Sequence, residues 1–447
     1  MNENHLIQGD VRKSLIRFAL PFLIATLLQF LYGAVDLIIV GKFCDAAAVS
    51  AVATGSQIMQ TLTSLISGLA TGGTVLIGQY VGARREEDVR RTIGTMFSVF
   101  TIAAVVFAVV FAAGTNLVVT AMQVPEEAVQ PAREYIFTCS CGLIFITGYN
   151  VICGMLRGMG DSKRPMYFVA ISCIINIVGD LILVGACGMG ALGAAIATVF
   201  AQTVSMCLAL WVLIRGSYSH LFQGKWFRVH REHAGLIFKL GVPIALQEFL
   251  VSFSFLLITA IVNDIGLDES AAVGVVERII GFGMLIPIAF MSAISTMTAQ
   301  NIGANRWDRA MGATRWGLVY SLVCGVLILV ALQIFPQYAM GLFIEDANVI
   351  AHGVLYLRTY SVDCLLVCLI FCLNGFFSGC GRTGFTMANS LISTFIVRVP
   401  VVWLMSRIAG VTLLQIGMAA PAASAIQVLV QLVYLKWGNW KKSVIKS

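Results

Sequence analysis

The chain has 447 residues, of which 59% are hydrophobic and only 11% charged, with a formal net charge of +7 and a pI near 8.8. Soluble domains carry roughly 25% charged residues, so these charges are too few to coat a soluble surface, and the solvent must be largely lipid. The basic balance does not mark a nucleic-acid binder, because the charges sit in short clusters between apolar runs rather than along one phosphate-binding face.

The N-terminal stretch MNENHLIQGDVRKSLIR is polar and then basic, and an apolar run from Phe18 to Val40 follows. A signal peptide has a 7–15-residue apolar core and a small-x-small cleavage site. This run is longer and lacks such a site, so it reads as an uncleaved first span. Stretches of about 20 apolar residues suit a hydrocarbon core of ~30 Å. Twelve are predicted: 15–40, 48–77, 92–121, 132–156, 166–187, 190–214, 236–262, 270–298, 314–335, 350–377, 385–407 and 414–435. Runs above 25 residues imply tilt, kinks or helix beyond the bilayer. Pro21 and Pro243 fall in the first and seventh spans, where a proline removes a backbone hydrogen bond and kinks the helix.

Lys and Arg set the orientation. With the N-terminus inside, 23 of the 29 basic residues fall in cytoplasmic segments, including Arg84, Arg85, Lys225, Arg306, Lys442 and Lys446. Only Lys42, Arg133, Arg358 and Arg407 fall toward the outer face. Both termini are therefore expected in the cytoplasm, in a multi-pass plasma (inner) membrane protein.

The sequence repeats itself. GMLRGMGDSKRPM at 154–166 matches GFFSGCGRTGFTM at 375–387, with Gly154, Gly158, Gly160 and Met166 recurring at an offset of 221. Gln79, Gly82 and Ala83 recur as Gln300, Gly303 and Ala304, and Pro21 recurs as Pro243. Six spans per half keep both halves in one orientation, which makes this a parallel repeat. The expected fold is an all-α polytopic bundle of two six-helix halves: 1–214, a linker at 215–235, and 236–447. The pairs Gly78/Gly82, Gly154/Gly158 and Gly375/Gly379 read as close helix contacts. They are not phosphate cradles, since no GxGxxG follows a strand.

Twelve cysteines lie mostly in apolar runs and read as small packing residues. The five histidines, among them His5, His230 and His233, fall in loops or at helix ends. No metal site, Cys/His pair, HExxH or Ser/Lys dyad is apparent, so an enzyme is not expected.

Charges inside spans are the informative residues, because each costs ~2.5–3.5 kcal/mol on insertion scales. Asp36 lies in the first span, and Asn176 and Asp180 lie four residues apart in the fifth, on one helix face. With Thr198 of the sixth span they supply oxygen ligands for a cation, or a carboxylate pair sharing a proton. The plainer alternative is that they only hydrogen-bond between helices. The second half holds Glu248, Glu277, Arg278, Asp363 and Arg398. Two readings stand there: Arg398 neutralises an acid as a buried ion pair, or the group forms a second ion or substrate site. Glu277 and Arg278 are neighbours and need different partners.

With these residues in place, the chain resembles the multidrug and toxic compound extrusion (MATE) family over nearly its whole length. The resemblance rests on ALPFLIATLLQFLYGAVDLIIVG, the paired GQYVGA and AQNIGA, the paired RGMGDSKRPM and SGCGRTGFTM, and NIVGD. It implies an antiporter that exchanges cytoplasmic drugs or metabolites for H+ or Na+ by alternating access, with two lobes in a V around a central cavity. In the DinF-like branch, the family's N-lobe cation site matches Asp36, Asn176, Asp180 and Thr198, with Tyr135 matching a fourth-helix Tyr and Pro21 a proline where the first helix bends. Cys153 stands where some members have Asn, with Asn150 a turn away. Glu248 and Asp363 lie on the helices of a NorM-like cation site but are shifted by about a turn. The expected partners are a small-molecule substrate and the lipid bilayer, with no nucleic acid, no cofactor beyond the coupling ion, and a monomeric chain. The alternative is a flippase for a lipid-linked precursor of the same wider superfamily, toward which Arg398 leans.

Overall fold

Hydrocarbon offers the backbone no hydrogen bonds, so a chain of this composition must satisfy its peptide groups within helices. The computed structural model describes residues 6–216, 218–221, 226–408, 410–441 and 444–445, and among these it holds helices and no strand. His5, Lys225, Lys442 and Lys446 lie outside the described residues. Among the described residues, eleven helices are long and apolar enough to span a membrane, and a pair bent by 47° supplies the twelfth span. The all-α architecture expected from hydropathy is thus present.

In chain order the spans are α1 (Val11–Phe43), α2 (Ala46–Gly82), α3 (Glu86–Ala113), then the short α4 (Thr115–Ala121) and the span α5 (Glu126–Gly158). The fifth span is α6 (Lys163–Asp180), which runs on as a π-helical segment over Leu181–Ala186, and the sixth is α7 (Gly190–Arg215). The second half has α8 (Arg231–Asn263), α9 (Leu267–Gly303), α10 (Trp307–Ile334) and the short α11 (Pro336–Gly341). The bent pair is α12 (Ala347–Tyr360) and α13 (Asp363–Gly379). The eleventh span is α14 (Thr383–Leu391), a π-helical segment Ile392–Arg398 and α15 (Val399–Ser406), and the last is α16 (Leu413–Gly417) with α17 (Ala419–Trp437). Start signals are local: Asp45 accepts from the Ala48 N–H at 2.9 Å and begins α2, and Asp346 accepts from Asn348 and Val349 and begins α12.

The duplication extends to backbone detail. Arg84 (φ 58°) and Asn305 (φ 57°) end α2 and α9 in the left-handed region, and Gly160 (φ 93°) and Gly381 (φ 76°) do the same after α5 and α13. Side chains tolerate this region poorly, so its recurrence at equivalent places marks a shared turn.

Contacts gather the chain into two units, Leu20–Ala245 and Met1–Ala19 with Leu246–Ser447. In the first, α2 packs on α5. Thr74 Oγ1 donates to the Gly154 carbonyl at 3.0 Å, and a Cβ at Gly158 would lie 2.7 Å from the Thr74 carbonyl. In the second, α9 packs on α13 in the same manner, and a Cβ at Gly379 would lie 2.6 Å from the Ser295 carbonyl. Only glycine permits such an approach. Gly158→Ala and Gly379→Ala are each expected to destabilise by about 1–3 kcal/mol through overpacking. Thermal unfolding in detergent checks this against Gly384→Ala, where a Cβ meets nothing within 4 Å.

Two chain segments outside the spans are fastened by polar contacts. In the second unit, Arg309 donates to the Gln8 and Gly9 carbonyls at 2.9 and 2.6 Å, Arg306 to Ile7 at 2.8 Å, and Asn301 to Leu6 at 3.0 Å. In the first, Thr95 Oγ1 donates to the Arg228 carbonyl at 3.3 Å and accepts from the His230 N–H at 3.2 Å. His233 Nε2 lies 3.3 Å from Asp88 Oδ1.

Candidate functional site

The five residues singled out in the first half converge within the unit Leu20–Ala245. Asp36 on α1 and Asp180 at the end of α6 are both buried, and their carboxyl groups face each other. Asn176, one turn before Asp180, donates from Nδ2 to Thr198 Oγ1 on α7 at 3.3 Å. Tyr135 on α5 is buried and close enough to Asp36 for their charges to interact.

Local sequence explains the convergence. Gly179 lies against Ala197, where a Cβ would sit 2.9 Å from the Ala197 Cβ, so α6 and α7 run close enough for Asn176 to reach Thr198. Gly55 on α2 leaves the space filled by the Tyr135 ring, since a Cβ there would be 2.3 Å from its Cδ1. Directly after Asp180 the helix widens to π geometry, which recurs at functional sites, and the Cys187 N–H bonds back to the Ile182 carbonyl at 2.8 Å.

The distinctive property of the cluster is its unspent oxygens. Asp36 Oδ1, Asn176 Oδ1 and both Asp180 carboxylate oxygens are buried, and apart from the contact between the two carboxyl groups no donor reaches them. Buried acceptors are normally paired, and leaving one unpaired costs about 1–3 kcal/mol. Four in one place, with two carboxylates, make a site that a proton or a hard, oxygen-seeking cation satisfies. Gly55→Ala is expected to push the Tyr135 ring into this cluster and weaken cation binding roughly tenfold, or ~1.4 kcal/mol, as read from a binding isotherm.

Two further residues belong here that the sequence reading left out. Tyr32 is near both Asp36 and Asp180, and Cys139 hydrogen-bonds with Tyr135. Each sits one helical turn from a residue already named, so i±4 spacing was the available signal. Asn150 and Cys153 are engaged elsewhere: Asn150 donates to its own helix at the Ile146 carbonyl, 2.8 Å away, and Cys153 pairs with Tyr149. All twelve cysteines are free.

The second-half residues gather only in part. Arg398 ends the π-helical segment of the eleventh span, near Glu277 on α9 and Asp363 at the start of α13. The ion pair considered for Arg398 is not formed, since no carboxylate among the described residues lies within 4 Å of it. Its Nη2 instead donates to the Tyr360 hydroxyl at 3.1 Å, and the guanidinium lies 4.4 Å from the Phe255 ring centroid. The break between α12 and α13 allows this, because it places Tyr360 and Asp363 on two differently directed helices. Gln333 supports the break by donating to the freed Arg358 carbonyl at 2.6 Å. Arg278 is exposed, while Glu277 beside it is half-buried. Glu248 is exposed on α8 and forms no ion pair among the described residues.

The MatE family model matches residues 21–182 and again 243–404, two copies that begin 222 residues apart. Over 98% of the chain and 96% of the relative, the sequence is 28% identical to the probable multidrug resistance protein YoeA of Bacillus subtilis (strain 168). It is 27% identical to YpnP of the same organism, also named a probable multidrug resistance protein, over 97% of each chain. The fold superposes with a TM-score of 0.92 on a MATE protein crystallised in complex with MaL6, 20% identical, covering 99% of this chain and 100% of that one. Both halves of the duplication carry the family's signature in register with the twelve spans, and the chain belongs to the multidrug and toxic compound extrusion family of membrane transporters.

Proposed function

We propose that the protein is a cation-coupled antiporter that exports small organic-cation or amphipathic drugs or metabolites by alternating access. The observation that carries this reading is the set of four buried oxygens around Asp36 and Asp180 that no donor reaches outside the contact between the two carboxyl groups. Such a set has high affinity for a cation only when helices α1, α6 and α7 are in register, so occupancy and helix position are linked. Asp36, Asn176, Asp180 and Thr198 bind the coupling ion, H+ or Na+, with Tyr32 and Tyr135 closing the cluster. In residue type and helix this set matches the N-lobe site that the resemblance to the DinF-like branch implies, which supports the reading. The cation enters from outside, and one charge moving through the membrane potential yields ~2.3 kcal/mol per 100 mV. The relatives carry multidrug resistance names, which supports drug export and disfavours the lipid-linked flippase.

The chain works as a monomer in the plasma (inner) membrane with both termini cytoplasmic, a placement supported by the Lys and Arg bias. Transport of a fluorescent organic cation into inside-out vesicles tests the proposal, with a pH gradient in sodium-free buffer and a sodium gradient at equal pH. Export driven by one gradient and not the other identifies the ion. Export indifferent to both would overturn the coupling.

A further inference from the structure

The interface between α6 and α7 changes character at the Asp36 and Asp180 cluster. On one side it closes without polar side chains. Residues 181–197 carry no charged, amide or hydroxyl group, Gly179 lies against Ala197, and a Cβ at Gly193 would lie 3.1 Å from the Leu183 carbonyl carbon. On the other side, toward Lys163 and Arg215, the facing positions are polar. Two contacts set the register there: Asn176 Nδ2 donates to Thr198 Oγ1 at 3.3 Å, and Ser205 Oγ donates to the Phe168 carbonyl at 3.1 Å. Ser172 lies midway between Phe168 and Asn176 on α6, and Gln202 lies about midway between Thr198 and Ser205 on α7, so helical spacing sets these two across from each other.

Gln202 is the informative member. Its Oε1 is buried and accepts no hydrogen bond among the described residues, in an interface where Ser172 and Ser205 are buried too. Val199 and Met206 on α7 fill the spaces left by Gly142 and Gly148 of α5, whereas Thr198 addresses α6. Gln202 falls between these two directions around α7, so its amide turns into the wedge between α5 and α6, one turn from Thr198. An unpaired buried carbonyl oxygen is a standing cost. Hard cations take amide oxygens as ligands.

We propose that Gln202 is a way station for the coupling cation, accepting a sodium ion or a hydronium ion from the Asp36 and Asp180 cluster and passing it along the α6–α7 seam toward the cytoplasmic ends of both helices. The two carboxylates supply the affinity. A neutral amide one turn away binds weakly, which suits a station that must empty. Because the opposite stretch of the interface offers no polar ligand, an ion in the cluster has one polar exit between these helices. Every residue of the seam lies within the unit Leu20–Ala245. The inference deepens the antiporter reading by naming a release route for the ion, and rests on that reading for its role in export.

The test uses the full-length protein in inside-out vesicles, with export of ethidium at a saturating gradient of the ion that drives the unsubstituted protein. Equilibrium affinity for that ion is read from the shift of melting temperature in a sodium or a pH titration. Gln202→Leu keeps bulk and removes the oxygen. It is expected to lower the maximal rate roughly tenfold, the size of a lost hydrogen bond to a charged group, while affinity stays within about twofold. Gln202→Asn keeps the amide on a shorter arm, retains part of the rate, and carries the comparison if Gln202→Leu does not fold. Ser172→Ala is expected to show a smaller loss of rate at the same affinity. An unchanged rate in Gln202→Leu would overturn the release route. So would an affinity that falls in step with the rate, since Gln202 would then be part of the cluster or a packing residue. Export by the unsubstituted protein that ignores both gradients would instead overturn the antiporter reading, and the release route with it.

Discussion

Asp180→Asn is expected to abolish gradient-driven export, and Asp36→Asn to reduce it to a small residue, with both proteins still folded. The substitution keeps shape and removes charge. Asp180 is the more exacting position, because it is fully buried and neither of its oxygens meets a donor other than the Asp36 carboxyl, whereas Asp36 is 5% exposed with one such oxygen. Removing one member of a buried charge interaction costs about 2–5 kcal/mol, or roughly 30-fold or more in cation affinity. Stability should not fall in parallel, since a buried carboxylate without donors is itself a cost that the neutral amide lessens. The checking measurement pairs vesicle flux with a melting curve. Thr198→Ala, which loses the hydroxyl that Asn176 meets at 3.3 Å, is expected to show a smaller loss of flux. Unchanged flux in Asp180→Asn would remove the cluster from the coupling mechanism.

Pro21→Ala is expected to slow turnover roughly tenfold while leaving equilibrium cation binding intact. Proline has no N–H for the carbonyl four residues earlier, that of Arg17, and its ring crowds the same carbonyl. The intrinsic penalty is about 3 kcal/mol relative to alanine, so alanine holds α1 in one helical geometry and raises the cost of bending it. Asp36 rides on the same helix, fifteen residues on, so a stiffened α1 couples ion binding less well to movement. Pro243→Ala, at the equivalent place in α8, should do less. Its neighbour Gly241 is wedged against Leu69, where a Cβ would sit 2.4 Å from the carbonyl, so α8 is pinned there whichever residue stands at 243. Steady-state flux with a parallel cation isotherm separates rate from affinity, and an unaltered rate in Pro21→Ala would refute the hinge.

Much of this was legible in the chain alone because it is written locally. Twelve spans follow from apolar run length, with the tenth realised as the bent pair α12 and α13. The duplication follows from Gly154 and Gly158 against Gly375 and Gly379, and each pair then makes an equivalent close contact with its neighbouring helix. Asn176 and Asp180 share a face by helical spacing alone. Tyr32 and Cys139 were within reach of the same spacing but carry no charge to draw notice inside an apolar run.

Hydropathy and periodicity act over one or two helical turns, so the number of spans, the repeat and the contrast between an acid-only first half and a mixed-charge second half are all readable along the chain. Which distant residues meet is a matter of packing: Asp36 faces Asp180, and Arg398 reaches Tyr360 and Phe255 instead of an acid. Those outcomes depend on the rotation and rise of one helix against another. The π-helical turns at Leu181–Ala186 and Ile392–Arg398 shift that register, and hydropathy does not encode them.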